Sequence, residues 1–388
     1  MKYRSLFIFL SVFSAGSFCY AQSNQRETFK ISPTTQVGRS FPQVNTERRV
    51  KASIAAPDAG KVQLDLGGKK YDLIKDDKGV WTGVSDPQDQ GFHYYQLSID
   101  GASVPDPGSM YFYGAGRWGS GIEVPAKDAD FYALKDVRHG LISENIYLSK
   151  ITGKWRRCFV YTPPGYNSGN QTRYPVLYLQ HGSFEDETGW PSQGKANLIL
   201  DNLIAAKESV PMIIVMDNGY AYQAQSTVSQ SSNAPEVSVF DQVLVNEVIP
   251  MIDSKFRTIA NRENRAIAGL SMGANQCMRI IMKNLDKFSA IGGFSGTSNY
   301  PSSDVLDAAS FLDGSFKNGQ SVNQKLKVLF LSLGTKEPNP FPGSVGAFRN
   351  MLNKQGIKYV FYQSPETAHE WQTWRRSLHE YAKLLFRK

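Results

Sequence analysis

The chain has 388 residues, too many for one ordinary core and enough for two domains. Its composition, 41% hydrophobic and 12% aromatic, excludes a disordered protein. The net charge of +8 is interspersed with no dense Lys/Arg block, which argues against nucleic-acid binding.

Residues 1–21 have the form of a signal peptide. Lys2 and Arg4 make a basic start, residues 6–13 are apolar, and Cys19-Tyr20-Ala21 offers small residues where a signal peptidase reads. The expectation is an exported protein, periplasmic or secreted, cleaved near Ala21. Lipid attachment at Cys19 is the alternative, and Phe18 is bulky where such sites favour small residues. The apolar run is too short to span a bilayer, so no transmembrane segment is expected. Removing residues 1–21 takes away two bases and no acid, which lowers the charge from +8 to +6. Cys158 and Cys277 then remain, too few for a disulfide framework, and are expected as separately buried thiols.

Residues 22–37 are polar and read as a linker. Residues 38–125 carry short alternating segments, among them residues 50–54, 61–66, 80–84 and 93–99, separated by Pro57-Asp58-Ala59-Gly60, Gly67-Gly68 and Asp100-Gly101. That rhythm predicts a small all-β, immunoglobulin-like sandwich. Gly114-Ala115-Gly116-Arg117-Trp118-Gly119 matches a dinucleotide-binding fingerprint by letter but lacks the strand–helix context that gives the motif meaning.

Residues 126–140 read as a second linker, and residues 141–388 as an α/β domain with a mostly parallel central sheet. Its predicted strands are 157–161, 175–180, 212–216, 265–268, 327–332 and 358–362. Its predicted helices are 196–206, 237–254, 345–355 and a carboxyl-terminal one over 371–386. Unbroken apolar runs such as Val176-Leu177-Tyr178-Leu179 and Ile213-Ile214-Val215-Met216 suit parallel strands covered on both faces.

Gly269-Leu270-Ser271-Met272-Gly273 lies between a predicted strand and a helical pattern. A serine on such a turn projects its hydroxyl, and the glycines permit the sharp reversal. A nucleophilic serine needs a base, an orienting acid and donors for the oxyanion. Of the five histidines (His93, His139, His181, His369 and His379), only the last two follow the serine, as this order of partners requires. His369 falls in a loop after the last strand and is preferred to His379, which sits in the final helix. Glu337, just beyond the strand at 327–332, is the preferred acid over Asp286, Asp304, Asp307, Asp313 and Glu366. The oxyanion donors would be the backbone N–H groups of Met272 and Ser183. His181 precedes the serine and is given a structural role. Trp190, Tyr220, Tyr222 and Trp371 lie in or near loops expected at the site and are candidates for contact with an aromatic substrate. No pair of histidines has metal-ligand spacing, and neither a metal nor an organic cofactor is expected.

With these residues assembled, about 250 carboxyl-terminal residues resemble the esterase D-like branch of the α/β-hydrolases. Within it they are most similar to carbohydrate esterase family 1, which contains feruloyl and acetylxylan esterases. The likeness rests on Tyr174-Pro175-Val176-Leu177-Tyr178-Leu179-Gln180-His181-Gly182, Glu247-Val248-Ile249-Pro250-Met251-Ile252-Asp253, Ala268-Gly269-Leu270-Ser271-Met272-Gly273-Ala274 and Thr367-Ala368-His369-Glu370-Trp371. It implies Ser271 as nucleophile, Glu337 as acid and His369 as base, although Asp is commoner than Glu at the acid position. Gly91-Phe92-His93-Tyr94-Tyr95 and Asp106-Pro107-Gly108-Ser109 resemble early-set modules related to carbohydrate-binding family 48. Such modules often pack against the enzyme, and domain packing is preferred to sugar stacking for Tyr113 and Trp118. The implied activity is hydrolysis of feruloyl esters, or acetyl esters as second choice, on plant cell-wall xylan or its oligosaccharides. The alternatives are a siderophore esterase of the enterochelin type, which a basic pocket would favour although the sequence offers only Arg375 and Arg376 near His369 and no larger basic cluster, and a noncatalytic glycan-binding protein.

Overall fold

The computed structural model describes residues 28–169, 171–223, 238–297 and 306–387. The signal-peptide assignment with Cys19 and Ala21, the first part of the 22–37 linker, Val237 and Asp304 lie outside the described residues.

Alternation of apolar and polar residues builds two antiparallel sheets at the amino-terminal end. One has the order Lys30–Ile31, Gln43–Val44, Arg49–Ala55, Val80–Pro87, Ile74–Lys75. The other has the order Tyr111–Gly114, Arg117–Val124, Gly91–Ile99, Val62–Leu66, Lys69–Asp72, with Ala102–Val104 paired to Gly91–Ile99. Val50, Ala52 and Trp81 from the first sheet share a buried cluster with Val62, Leu64, Leu66, Tyr95, Leu97, Ile122 and Val124 from the second. This is a sandwich held by facing apolar rows.

Two segments read as linkers are structured. Lys30–Ile31 pairs with Gln43–Val44, and Thr35 bridges Ser109, so the described part of residues 22–37 joins the sandwich. A two-residue strand is too short to leave a periodic signal. Within residues 126–140, a 3-10 turn at Ala129–Tyr132 buries Tyr132, and Asn202 donates its side-chain amide to the carbonyls of Phe131 and Ala133. The segment is thereby fastened to helix Ala196–Ala205.

The larger sheet has eight strands in the order Leu141–Ser149, Lys154–Thr162, Ile213–Asp217, Val176–Gln180, Arg265–Leu270, Ala290–Phe294, Val328–Gly334, Val360–Ser364. The first two pairings in that order are antiparallel, and every later pairing is parallel. Helices Ala196–Ala205 and Trp371–Leu384 cover one face, burying Ile199, Leu200, Leu203, Trp374, Leu378 and Tyr381. Met272–Lys283 and Phe341–Lys354 cover the other with Cys277, Met278, Ile281, Phe348 and Met351. Each such large apolar side chain contributes about 1.5–3 kcal/mol relative to exposure. The molecule is an α/β-hydrolase fold preceded by antiparallel β-sheets. Cys158 and Cys277 are both free and buried.

Three local features depart from the sequence expectation. Ala290–Phe294 was not predicted as a strand because Gly292 and Gly293 dilute its β pattern. Both glycines are needed for close packing: a Cβ on Gly292 would stand 3.0 Å from Ala268 Cβ, and one on Gly293 would stand 2.9 Å from the Gly296 carbonyl oxygen. Leu141–Ser149, an edge strand with Leu141, Ile146 and Leu148 exposed, also escaped prediction. The single helix predicted over 237–254 is α at Phe240–Val243, π at Leu244–Val248 and α again at Ile249–Lys255. Pro250 has no N–H for the helical ladder and its ring crowds the preceding turn, which the wider π turn relieves.

Candidate active site

Strand Arg265–Leu270 delivers Ser271 at the sheet's carboxyl edge, and helix Met272–Lys283 begins immediately after it. Ser271 adopts φ 50° and ψ −115°, outside the ordinary wells of a non-glycine residue. Such a conformation costs on the order of 1–3 kcal/mol and persists only where neighbours enforce it. Here Ser271 N–H donates to the Phe294 carbonyl at 2.8 Å. The flanking glycines are required sterically. A Cβ on Gly269 would lie 2.5 Å from the Gly273 carbonyl carbon, and one on Gly273 would lie 2.4 Å from the His181 carbonyl oxygen.

His369, from the loop between Val360–Ser364 and helix Trp371–Leu384, faces the serine with Nε2 3.0 Å from Ser271 Oγ. Its Nδ1 is 2.9 Å from Glu337 Oε2. An ionised carboxylate only accepts, so Nδ1 carries the proton and Nε2 is left to accept from the serine hydroxyl. Glu337 follows strand Val328–Gly334 and its carboxylate is buried. Oε1 accepts from Gly334 N–H at 2.9 Å and from Ser295 Oγ at 2.5 Å. The imidazole is sandwiched as well as bonded. Phe341 stacks on it with ring centroids 3.7 Å apart, and Trp374 meets it edge-on at 5.0 Å. Ser295, Phe341 and Trp374 were all missed from sequence; Ser295 follows the unpredicted strand, and nothing local marks the other two.

The other acids and histidines weighed from sequence lie elsewhere. Asp286 and Glu366 pair with Lys287 and Lys336, and Asp307 accepts from the Ala309 N–H and the Ser310 hydroxyl. His379 contacts Glu380 and Phe131. His181 is buried, with Nδ1 2.8 Å from the Gly182 carbonyl and Nε2 accepting from Gly219 N–H at 2.9 Å. Burial lowers its pKa below the ordinary histidine value, and the neutral ring ties the end of strand Val176–Gln180 to the loop after Ile213–Asp217.

Met272 opens its helix, where the first N–H groups have no intrahelical acceptor and carry the positive end of the dipole. Ser183 lies in the loop after strand Val176–Gln180 and is exposed. A Cβ on Gly182 would stand 2.4 Å from Leu270 Cδ1, so the loop packs tightly against the strand that ends at the serine.

The four aromatic candidates divide. Tyr220 is half-buried and its hydroxyl accepts from Phe184 N–H at 2.7 Å, beside Ser183. Tyr222 is half-buried and pairs with Ser238. Trp190 and Trp371, however, are 1% and 2% exposed and pack on each other at 5.4 Å. Their indole N–H groups donate to the Gln180 carbonyl and the Tyr94 hydroxyl. They form the wall behind the site and present no surface to a substrate, since burying a large ring is favoured wherever its N–H finds an acceptor. The aromatic surface instead comes from Phe184, 67% exposed, and from the sandwich hairpin carrying Tyr113 and Trp118, which pack at 5.6 Å. Gly116 at the tip of that hairpin donates its N–H to the Phe184 carbonyl at 2.9 Å. The fingerprint-like glycines thus make a β-turn, with no helix after them.

Arg375 reaches into the sandwich and Arg376 holds the segment that follows it. Arg375 is fully buried and holds Glu123 at 2.7 and 3.0 Å, while Arg376 binds Asp128. Among the described residues there is no cluster of three or more His, Cys, Asp or Glu able to hold a metal ion, and no helix is long and apolar enough to cross a membrane.

Comparison with known proteins accords with this geometry. An "Endo-1,4-beta-xylanase/feruloyl esterase" of Xylanibacter ruminicola is 41% identical over 370 residues, 93% of this chain and 48% of that protein. The chain therefore spans about half the length of this relative. A solved ferulic acid esterase from Anaeromyces mucronatus, bound to ferulic acid, superposes with a TM-score of 0.57 at 21% identity, covering 67% of this chain and 96% of the other. The enterobactin esterase of Shigella flexneri superposes with a TM-score of 0.61 at 16% identity, covering 91% and 95%. At these identities the two structures speak to the fold. Residues 149–385 match the family described as "Putative esterase", more than half of the chain, and the protein belongs to that esterase family.

Proposed function

We propose that this protein is a serine carboxylic ester hydrolase that releases feruloyl groups from plant cell-wall saccharides. The observation that carries the proposal is His369 bridging Ser271 Oγ at 3.0 Å and the buried Glu337 carboxylate at 2.9 Å. Ser271 Oγ attacks the ester carbonyl while His369 Nε2 takes its proton. Glu337 stabilises the imidazolium and fixes the tautomer. Met272 and Ser183 N–H receive the oxyanion, each contributing about 3 kcal/mol to the transition state. The tetrahedral intermediate collapses, His369 returns the proton to the leaving sugar hydroxyl, and the acyl group stays on Ser271. Water deprotonated by His369 then releases the acid and restores the serine.

The feruloyl reading is supported by the name of the Xylanibacter relative and by the exposed rings of Phe184 and Trp118, with half-buried Tyr220 bonded to Phe184 N–H and half-buried Tyr113 packed on Trp118. Acetylxylan is the second substrate to be tried. Engagement of Arg375 and Arg376 by Glu123 and Asp128 removes the cations that an anionic catecholate would need, which argues against a siderophore substrate. Assembly of the full serine–histidine–glutamate chain argues against a purely glycan-binding role. The test is incubation of purified protein with methyl ferulate, acetylated xylan and enterobactin, repeated with Ser271→Ala. Ferulate release that disappears in the variant is the expected result. No turnover of any ester, or turnover that survives the substitution, overturns the proposal.

A further inference from the structure

Residues 182–185 form the loop that carries the second oxyanion donor, and the backbone groups on either side of that donor, at Gly182 and Phe184, are held by hydrogen bonds. Gly182 N–H donates to Glu185 Oε2 at 3.3 Å. Phe184, held at φ 63°, donates its N–H to Tyr220 and accepts at its carbonyl from Gly116 N–H. Ser183 N–H, between these anchors, makes no hydrogen bond among the described residues.

Two of the grips originate in the sandwich. One is Gly116 on its hairpin. The other is Tyr94, from strand Gly91–Ile99, whose hydroxyl lies 3.3 Å from Glu185 Oε1. That hydroxyl receives Gln193 Nε2–H at 2.6 Å and Trp371 Nε1–H at 3.1 Å. Both lone pairs are then occupied, so the phenolic proton is directed to an acceptor, and Glu185 is nearer than the Tyr113 carbonyl at 3.5 Å. Trp371 and Gln193 thereby fix Tyr94, which fixes Glu185, which fixes Gly182.

We propose that Tyr94 and Glu185 are a positioning pair through which the amino-terminal sandwich holds the oxyanion loop in its working geometry. The proposal rests on the assignment of Ser183 N–H as an oxyanion donor. An oxyanion hole works because its donors are aimed before charge develops, so a loop free to shift by a fraction of an ångström loses part of the benefit. Glu185 is 5% exposed, and burial raises its carboxyl pKa to about 8, against hydrogen bonds from Gly182, Tyr94 and Trp371 that lower it. The groups facing it are Tyr94 from the sandwich, Trp371 from the last helix, Tyr220 from the loop after Ile213–Asp217, and Asp186 on its own loop. None of these is a cation. Below about pH 8 the carboxyl is neutral beside the oxyanion site; above it, a negative charge appears two residues from the donor and opposes the developing oxyanion.

The experiment is steady-state hydrolysis of p-nitrophenyl acetate by the full chain from about pH 6 to about pH 9.5, which reports the titration of groups at the site. Wild type is compared with Tyr94→Phe, Glu185→Gln and Ser271→Ala, with circular dichroism to verify folding. Tyr94→Phe is expected to lower kcat about tenfold while KM stays within about twofold, the signature of an interaction felt in the transition state. Wild-type kcat is expected to fall on the alkaline side around pH 8, and Glu185→Gln to lose that fall relative to its own maximum. Wild-type kcat in folded Tyr94→Phe, or an unchanged alkaline fall in Glu185→Gln, with Ser271→Ala inactive, overturns the positioning pair and leaves the nucleophile assignment standing. Activity retained in Ser271→Ala overturns the nucleophile assignment and the pair with it.

Discussion

Ser295 donates its hydroxyl hydrogen to Glu337 Oε1 at 2.5 Å, and its own Oγ accepts Trp374 Nε1–H at 3.0 Å. Trp374 also lies edge-on against His369, so one chain of contacts orients both the acid and the base. A hydrogen bond to a charged group is worth about 1.5–3 kcal/mol. Ser295→Ala is therefore expected to lower kcat roughly ten- to a hundredfold, on the scale of 1.4 kcal/mol per decade, with KM little changed. A variant with wild-type kcat would show that Gly334 N–H alone suffices to hold the carboxylate.

Glu337 must reach three partners at once: Ser295, Gly334 and His369. Aspartate is one methylene shorter and cannot keep all three from the same backbone position. Glu337→Asp should retain part of the activity. Glu337→Gln should lose up to about 10⁴-fold in kcat, as an amide donor facing Nδ1 favours the wrong tautomer. Equal activity of both variants and wild type would remove Glu337 from the mechanism.

The contact between sandwich and hydrolase centres on Arg375 and Glu123, both buried. Breaking a buried pair by removing one partner costs about 3–5 kcal/mol. Thermal unfolding of Arg375→Met should show that loss at neutral pH. Burial raises the Glu123 pKa, but the Arg375 guanidinium and its hydrogen bonds outweigh this, leaving it below the usual 4.5. A depressed carboxyl pKa stabilises the fold above the unfolded value, and that stability is lost as pH falls through the folded one. Acid destabilisation below about pH 4.5 should be shallower in Glu123→Gln than in wild type. An identical acid slope would contradict the linkage.

Gly273→Ala places a methyl 2.4 Å from the His181 carbonyl oxygen, a backbone atom that cannot swing aside. The expected destabilisation is at least about 2 kcal/mol, in the range of severe core substitutions. Activity should fall with it, since His181 shares the loop that carries Ser183. A Tm equal to wild type would mean that the elbow is looser than its geometry indicates.

The parts legible in sequence were those that leave a local trace. Apolar runs marked most of the parallel strands to within a few residues, and the paired glycines around Ser271 marked the turn. Chain order then singled out His369 and Glu337, which the structure brings within hydrogen-bond reach of one another. Contacts that depend on two distant segments left no such trace. Trp190 and Trp371 have the composition of a binding surface, yet each found a buried acceptor and turned inward. Ser295 was hidden because glycines diluted the strand before it. Tyr94 and Glu185 are separated by 91 residues, and only the docking of the sandwich brings them together.

The most direct test of the central claim is mass spectrometry of the acyl-enzyme, trapped by acid quench after rapid mixing with methyl ferulate. A feruloyl adduct is expected on the peptide containing Ser271, absent from Ser271→Ala and accumulating at a rate consistent with turnover. Hydrolysis without an adduct on that peptide, or an adduct on another residue, would contradict it.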